Sequence, residues 1–149
     1  MTDAFFPASP LAGTQTILVV DDVGVVRKIA FRLLSESGYR VFEAGSAAEA
    51  LEVLSTSRQP ISLAIVDVIL PEVNGVDLVK LIHEEWPATS IIFMSAFPAE
   101  VLVREGLDHP NVTFLAKPFT RDELLSKVTA ALSARRRQDQ PSRSERPKP

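Results

Sequence analysis

The chain has 149 residues, 46% of them hydrophobic and 23% charged. That composition suits one globular domain and excludes a wholly disordered chain. With 16 Lys+Arg against 19 Asp+Glu, a formal charge of -3 argues against nucleic acid as a partner held by charge alone. There is no cysteine, which excludes disulfides, thiolate metal sites and cysteine nucleophiles. No apolar run approaches the roughly 18 residues that span a bilayer, so no membrane association is expected. The first basic side chain is Arg27, so a basic leader is not expected and a cytoplasmic setting is the default.

Charge divides the chain. Residues 135–149 carry six basic and two acidic side chains, +4, leaving ten basic and seventeen acidic on the remainder, -7. The expected organisation is a flexible arm over 1–15, a folded unit over 16–134 and a basic, Pro-rich disordered tail over 135–149. That tail is too short to hold a core of its own, so no effector domain is expected within the chain. No repeat is visible at periods of about 20 to 50 residues.

In chain order, Ile17 to Val20 is a short β-branched run ending at Asp21 and Asp22. Val25, Val26, Ile29, Ala30, Leu33 and Leu34 follow at helical spacing, and Gly38 supplies a stop. Tyr39 to Glu43 is a more polar strand suited to a sheet edge. Ser46 and Glu49 form a capping box opening a helix through Ala50, Leu51, Val53 and Leu54. Leu63 to Val66 is a second apolar run, ending at Asp67. Val76, Val79, Leu81 and Ile82 mark a helix closed near Trp86 and Pro87. Ile91 to Met94 runs into Ser95, a short helix is expected over 98–105, and Val112 to Ala116 runs into Lys117. Thr120 and Glu123 make a second capping box, leading a helix through Leu124, Leu125, Val128, Ala131 and Leu132.

Unbroken apolar runs belong to strands buried on both faces, as in a parallel sheet. Five alternating strand–helix units therefore predict a doubly wound α/β fold with a five-stranded parallel sheet. Ligands of such sheets bind beyond the carboxyl ends of the strands. The residues standing there are Asp21, Asp22, Asp67, Ser95 and Lys117. A like-charge pair at 4 Å costs about 4 kcal/mol at an effective dielectric of 20, so three clustered carboxylates need a cation. Lys117 supplies one charge and a hard, oxygen-seeking ion such as Mg²⁺ can supply the rest. Carboxylate, hydroxyl, ammonium and Mg²⁺ together make a phosphoryl-transfer set with a carboxylate nucleophile. No GxxxxGK[ST] or GxGxxG loop follows a strand, so no nucleotide cofactor is indicated.

Alone, each feature has an ordinary explanation. Asp21 and Asp22 could cap the first helix, Asp67 could open a turn, and Lys117 could be half of a structural ion pair. His83 reads as a solvated helix residue and His109 as a loop residue. Arg135 to Arg137 reads as a solvated helix end. The convergence of all the strand-end residues on one rim favours function.

That arrangement resembles the receiver domain of two-component response regulators, with the flavodoxin-like (βα)5 fold. The resemblance rests on ILVVDD (17–22), DVILPEVNG (67–75), FMSA (93–96) and FLAKPF (114–119). It implies that Asp67 is the phosphoacceptor, with Asp21, Asp22, Asp67 and the Ile69 backbone carbonyl holding Mg²⁺. It further implies that Ser95 bonds a phosphoryl oxygen, Lys117 pairs with carboxylate and then phosphate, and Lys117–Pro118 is cis. Phe114 falls at an aromatic switch that turns as Ser95 moves inward. The implied donor is a histidine kinase or histidine phosphotransfer protein, and the output is contact with a downstream protein. The segment from 98 onward looks like receivers attached to hybrid histidine kinases. Apolar Ile69 and Phe97, two residues after Asp67 and Ser95, imply slow self-dephosphorylation. Rival expectations are a phosphorylation-independent module of the same fold, or a Mg²⁺-dependent aspartyl-phosphate phosphatase. The latter needs a second acid where Ile69 stands.

Overall fold

The computed structural model describes residues 15–97 and 113–139, with side chains of 135–139 left aside. All but the last residue of the expected arm over 1–15, the short helix over 98–105, His109 and the tail beyond 139 lie outside the described residues. Strands are β1 (Thr16–Val20), β2 (Arg40–Ala44), β3 (Leu63–Asp67), β4 (Ser90–Ser95) and β5 (Thr113–Ala116). Helices are α1 (Gly24–Glu36), α2 (Ala47–Thr56), α3 (Gly75–Glu85) and α4 (Arg121–Asp139).

All the strand pairs are parallel and the sheet order is β2–β1–β3–β4–β5. The weaker strand is indeed an edge, shifted by one residue from Tyr39–Glu43 to Arg40–Ala44. Successive side chains point to opposite faces. Leu18, Val20, Ala64, Val66, Ile91 and Phe93 therefore meet α2 and α3 through Ala50, Leu54, Leu78 and Ile82. Ile17, Val19, Leu63, Ile65, Ile92 and Met94 meet α1 and α4 through Ala30, Leu34, Leu124 and Val128. Removing most of one such side chain, as in Leu34→Ala, costs about 2–5 kcal/mol.

Local chemistry sets the helix ends. Gly38 takes φ 99, and Gly38 N–H and Tyr39 N–H bond the carbonyls of Ser35 and Leu34 at 3.0 and 3.2 Å. This Schellman arrangement ends α1 where the glycine predicts. The Thr120–Glu123 box closes in both directions, at 2.9 and 3.1 Å. The Ser46 box closes in one only, because Glu49 reaches past Ser46 to Gly45 N–H at 2.6 Å. Asn74 caps α3 by accepting from Asp77 N–H at 2.9 Å, a signal the apolar periodicity passes over.

Two readings need correction. The α1 stripe is narrower than its apolar count suggests: Ala30 and Leu34 are buried, while Val25 is 70% and Ile29 48% exposed. Asp21 and Asp22 do not cap α1; Val23 stands at its N-cap, with no side-chain capping bond. The last helix runs to Asp139, so Arg135 to Arg137 lie on a helix end as read from the sequence, and the helix crosses the boundary expected between residues 134 and 135.

Candidate functional site

The chain leaves β1 for the β2 edge and returns to β3 on the other side of β1. The strand order reverses there, which opens a crevice at the carboxyl ends of β1 and β3. Asp21 follows β1 and Asp67 ends β3, so the topology alone sets both at this crevice. Ser95 ends β4, whose register pairs Asp67 with Met94, and Lys117 follows β5.

Three of these residues meet the rim in one way. Asp21 Oδ1 accepts from Val23 N–H at 2.9 Å, Asp67 Oδ1 from Ile69 N–H at 2.8 Å, and Ser95 Oγ from Phe97 N–H at 2.9 Å. Each closes a tight turn two residues ahead, which fixes its side-chain direction where the strand stops. Asp21, Asp67 and Ser95 are buried, while Asp22 is exposed.

Lys117 draws the two buried carboxylates together. Its Nζ lies 2.8 Å from Asp21 Oδ2 and in close contact with Asp67 Oδ2. Its backbone is anchored by Lys117 N–H to Ser95 C=O at 2.9 Å, and Lys117–Pro118 is cis. Asp21 Oδ2 is fully buried, and among the described residues the Lys117 ammonium is the group that balances its charge. Burial pushes the Asp67 carboxyl above its ordinary pKa, against the pull of Lys117 and of Ile69 N–H. Burial works the other way on Lys117, but contact with Asp21 and Asp67 overrides it and raises its pKa. The ammonium is therefore fully charged at neutral pH.

Carboxylate oxygens of Asp21, Asp22 and Asp67 lie within 4.8 Å of one another. When ionised, these three charges against one ammonium leave a formal -2. An all-oxygen donor set of that charge, with no nitrogen or sulfur ligand, fits a hard divalent cation such as Mg²⁺. The Ile69 peptide enters through its N–H, which orients Asp67.

Phe114 stacks on Phe93 with centroids 6.0 Å apart and 21° between planes. It is half-buried against the α2–α3 side of the core. Ile69 and Phe97 flank the rim and are 55% and 50% exposed.

Sequence reading passed over two features of the site. Gly75, the first residue of α3, sits so close to β3 that a Cβ would lie 2.1 Å from the Asp67 carbonyl oxygen. Arg27 donates to the Asp21 carbonyl at 2.8 Å and to Glu43 Oε1 at 2.9 Å. The available signal for Arg27 was a charge half a dozen residues after Asp21, set between apolar positions of α1.

Residues 17–129 match the response regulator receiver domain family. The chain belongs to that family. It is 32% identical over 125 residues to the sensor kinase CckA of Brucella abortus, covering 84% of this chain and 13% of that protein. The response regulator receiver protein CpdR of Brucella abortus is 29% identical over 120 residues, covering 80% of this chain and 98% of CpdR. A crystal structure of the receiver domain from the hybrid histidine kinase CckA superposes with a TM-score of 0.66 at 34% identity, covering 78% and 98%. This receiver is thus a domain of two-component phosphorelay signalling, and the likeness to hybrid-kinase receivers read from the sequence is borne out. The chain spans only 13% and 51% of two of its curated relatives, which are larger proteins. Among the described residues no helix is long and apolar enough to cross a membrane.

Proposed function

We infer that this receiver takes a phosphoryl group on Asp67 from a phosphohistidine of a histidine kinase or phosphotransfer protein, in the cytoplasm. The observation that supports this most is Lys117 bridging Asp67 and Asp21, with the Asp22 carboxylate alongside. An Asp67 oxygen attacks phosphorus as the P–N bond breaks, and its electron pair leaves on the imidazole nitrogen. Asp21, Asp22, Asp67 and the Ile69 carbonyl would hold Mg²⁺, which neutralises charge on the transferring oxygens. The turn bond from Ile69 N–H keeps the plane of the Asp67 carboxylate fixed through the attack. Lys117 can shift from the Asp67 oxygen to a phosphoryl oxygen while keeping Asp21 as its partner. Ser95 Oγ offers a hydroxyl donor on the same rim.

Drawing Ser95 toward the phosphoryl group would free space at the end of β4 beside Phe114 and bias its ring between two packings. A downstream protein that contacts only one packing then reads the phosphorylation state. The exposed apolar side chains Val25 and Ile29 on α1 suit docking of the donor beside the rim. Neither Ile69 nor Phe97 can orient an attacking water, so the phosphoryl group should persist well beyond seconds in Mg²⁺ buffer.

Intact mass after incubation with acetyl phosphate and Mg²⁺ tests this reading. One added phosphoryl group, absent with chelator and in Asp67→Asn, is expected. No gain from acetyl phosphate or from a phosphorylated histidine kinase would leave a phosphorylation-independent module in its place.

A further inference from the structure

The Asp22 carboxylate is exposed, and among the described residues no hydrogen bond or ion pair holds it. Its position is therefore set by the backbone that carries it. Both main-chain polar groups of the preceding residue are tied down. Asp21 N–H donates to the Ala44 carbonyl at 3.1 Å, and the Asp21 carbonyl accepts from Arg27 Nη1 at 2.8 Å. The plane of the Asp21–Asp22 peptide is thus pinned one bond before the Asp22 Cα.

The pin is itself braced. Glu43 Oε1 accepts from Arg27 Nε at 2.9 Å, and Glu43 Oε2 pairs with Lys28 at 3.2 Å. Arg27 and Glu43 side chains are only 21% and 20% exposed. Gly45 leaves room for the guanidinium: a Cβ there would lie 3.3 Å from Arg27 Nη1.

We propose that Arg27 is a positioning residue for the cation site, holding the Asp21–Asp22 peptide so that Asp22 points at the metal beside Asp21 and Asp67. This rests on the Mg²⁺ reading of the rim. The sign of one measurement separates the role from simple electrostatics. Deleting a positive charge near three carboxylates should by itself tighten cation binding. Deleting the pin should weaken it.

The experiment is calorimetric titration of the metal-free full chain with Mg²⁺. Arg27→Met keeps the length of the side chain and removes its donors; it should bind about tenfold more weakly, the usual scale for a partner outside the ligand shell. Arg27→Lys, which keeps one donor for the carbonyl, should recover part of that loss. Lys28→Met removes the same charge from the same Glu43 without touching Asp21 and should bind no more weakly than wild type. Equal or tighter binding by Arg27→Met, or equal weakening by Lys28→Met, overturns the proposal. If Arg27→Met lacks the native circular dichroism, the wild-type side-chain ¹⁵N signals of Arg27 decide. They should move with the Asp22 amide during the titration, and a static Arg27 overturns the proposal. No binding by wild type would remove the cation site and this inference together.

Discussion

The three central strands carry polar residues at both ends, and the two ends use them differently. At the amino rim, Thr16 opens β1, Ser62 precedes β3 and Thr89 precedes β4, all buried and all neutral. Thr89 Oγ1 donates to the Ile61 carbonyl at 2.8 Å, and backbone bonds link Ser62 to Thr16 and Ser90 to Ser62. At the carboxyl rim, Asp21, Asp67 and Ser95 are buried to the same degree, yet two of them are charged and converge on a lysine. Burial is equal; only the amino rim is electrostatically self-sufficient. A rim balanced by one ammonium and open to a further cation is poised to change state, while the other is built to stay as it is.

The sharpest way to break that contrast is Lys117→Met. It leaves two buried carboxylates facing each other, and unpairing such a charge costs about 3 kcal/mol or more. Urea unfolding in chelator should show the loss, and adding Asp67→Asn should return much of it because one carboxylate then remains. A loss no larger than that from an amino-rim variant would dissolve the distinction. Next in size is Gly75→Ala. The new methyl has no route past the Asp67 carbonyl and Val68 Cα, 2.1 and 2.9 Å away. Forcing backbone apart on this scale costs about 2–3 kcal/mol, read as a lowered urea midpoint. Because the displaced atom belongs to Asp67, the proposed phosphoacceptor, phosphoryl uptake should fall along with stability.

How far the sequence discloses this contrast depends on the range of the cause. β1, β3 and β4 are legible because burial on both faces leaves nearly unbroken apolar runs, and their last residues name the rim. Asp21, Asp22, Asp67, Ser95 and Lys117 stand where that reading and the family motif set them. What escapes is what depends on neighbours far along the chain. Val25 and Ile29 look like core residues until the sheet takes up Ala30 and Leu34 instead. Arg27 looks like a surface charge until β2 brings Glu43, sixteen positions on, against it. Gly75 looks like a helix-start residue until the approach to Asp67 shows that only hydrogen fits. The boundary at 134 falls inside α4 because the prolines of the tail dominate its composition, although arginine and glutamine continue a helix readily to Asp139.

A smaller effect comes from paired hydroxyl deletions, one at each rim. Thr89→Val leaves the Ile61 carbonyl short of a partner, costing about 1–2 kcal/mol, and should not touch phosphoryl uptake by mass. Ser95→Ala loses one turn bond, about 0.5–1 kcal/mol, yet should slow uptake measurably. If both variants behaved alike in the mass assay, Ser95 would have no chemical role distinct from its structural one.

The smallest expected effect is the most diagnostic, because it concerns protons alone. The Lys117 pKa is raised in the fold, so the folded state holds that proton more tightly than the unfolded chain. Its stabilisation is complete below the free lysine value of about 10.4 and is lost as pH rises through the higher folded value. The Asp67 pKa is also raised, chiefly by burial, so its contribution is present below the ordinary carboxylate range and is lost as pH rises through its folded value. Metal-free wild type should therefore lose stability relative to Asp67→Asn on leaving acid. Its advantage over Lys117→Met should hold through neutrality and shrink in strong alkali. Thr89→Val, with no proton to exchange near these values, should run parallel to wild type from end to end. Urea midpoints across pH test the three comparisons at once. A Thr89→Val curve that bends with the others would place the titrating groups elsewhere, whereas parallel lines there and divergence at Asp67 and Lys117 would assign the pH response to the carboxyl rim.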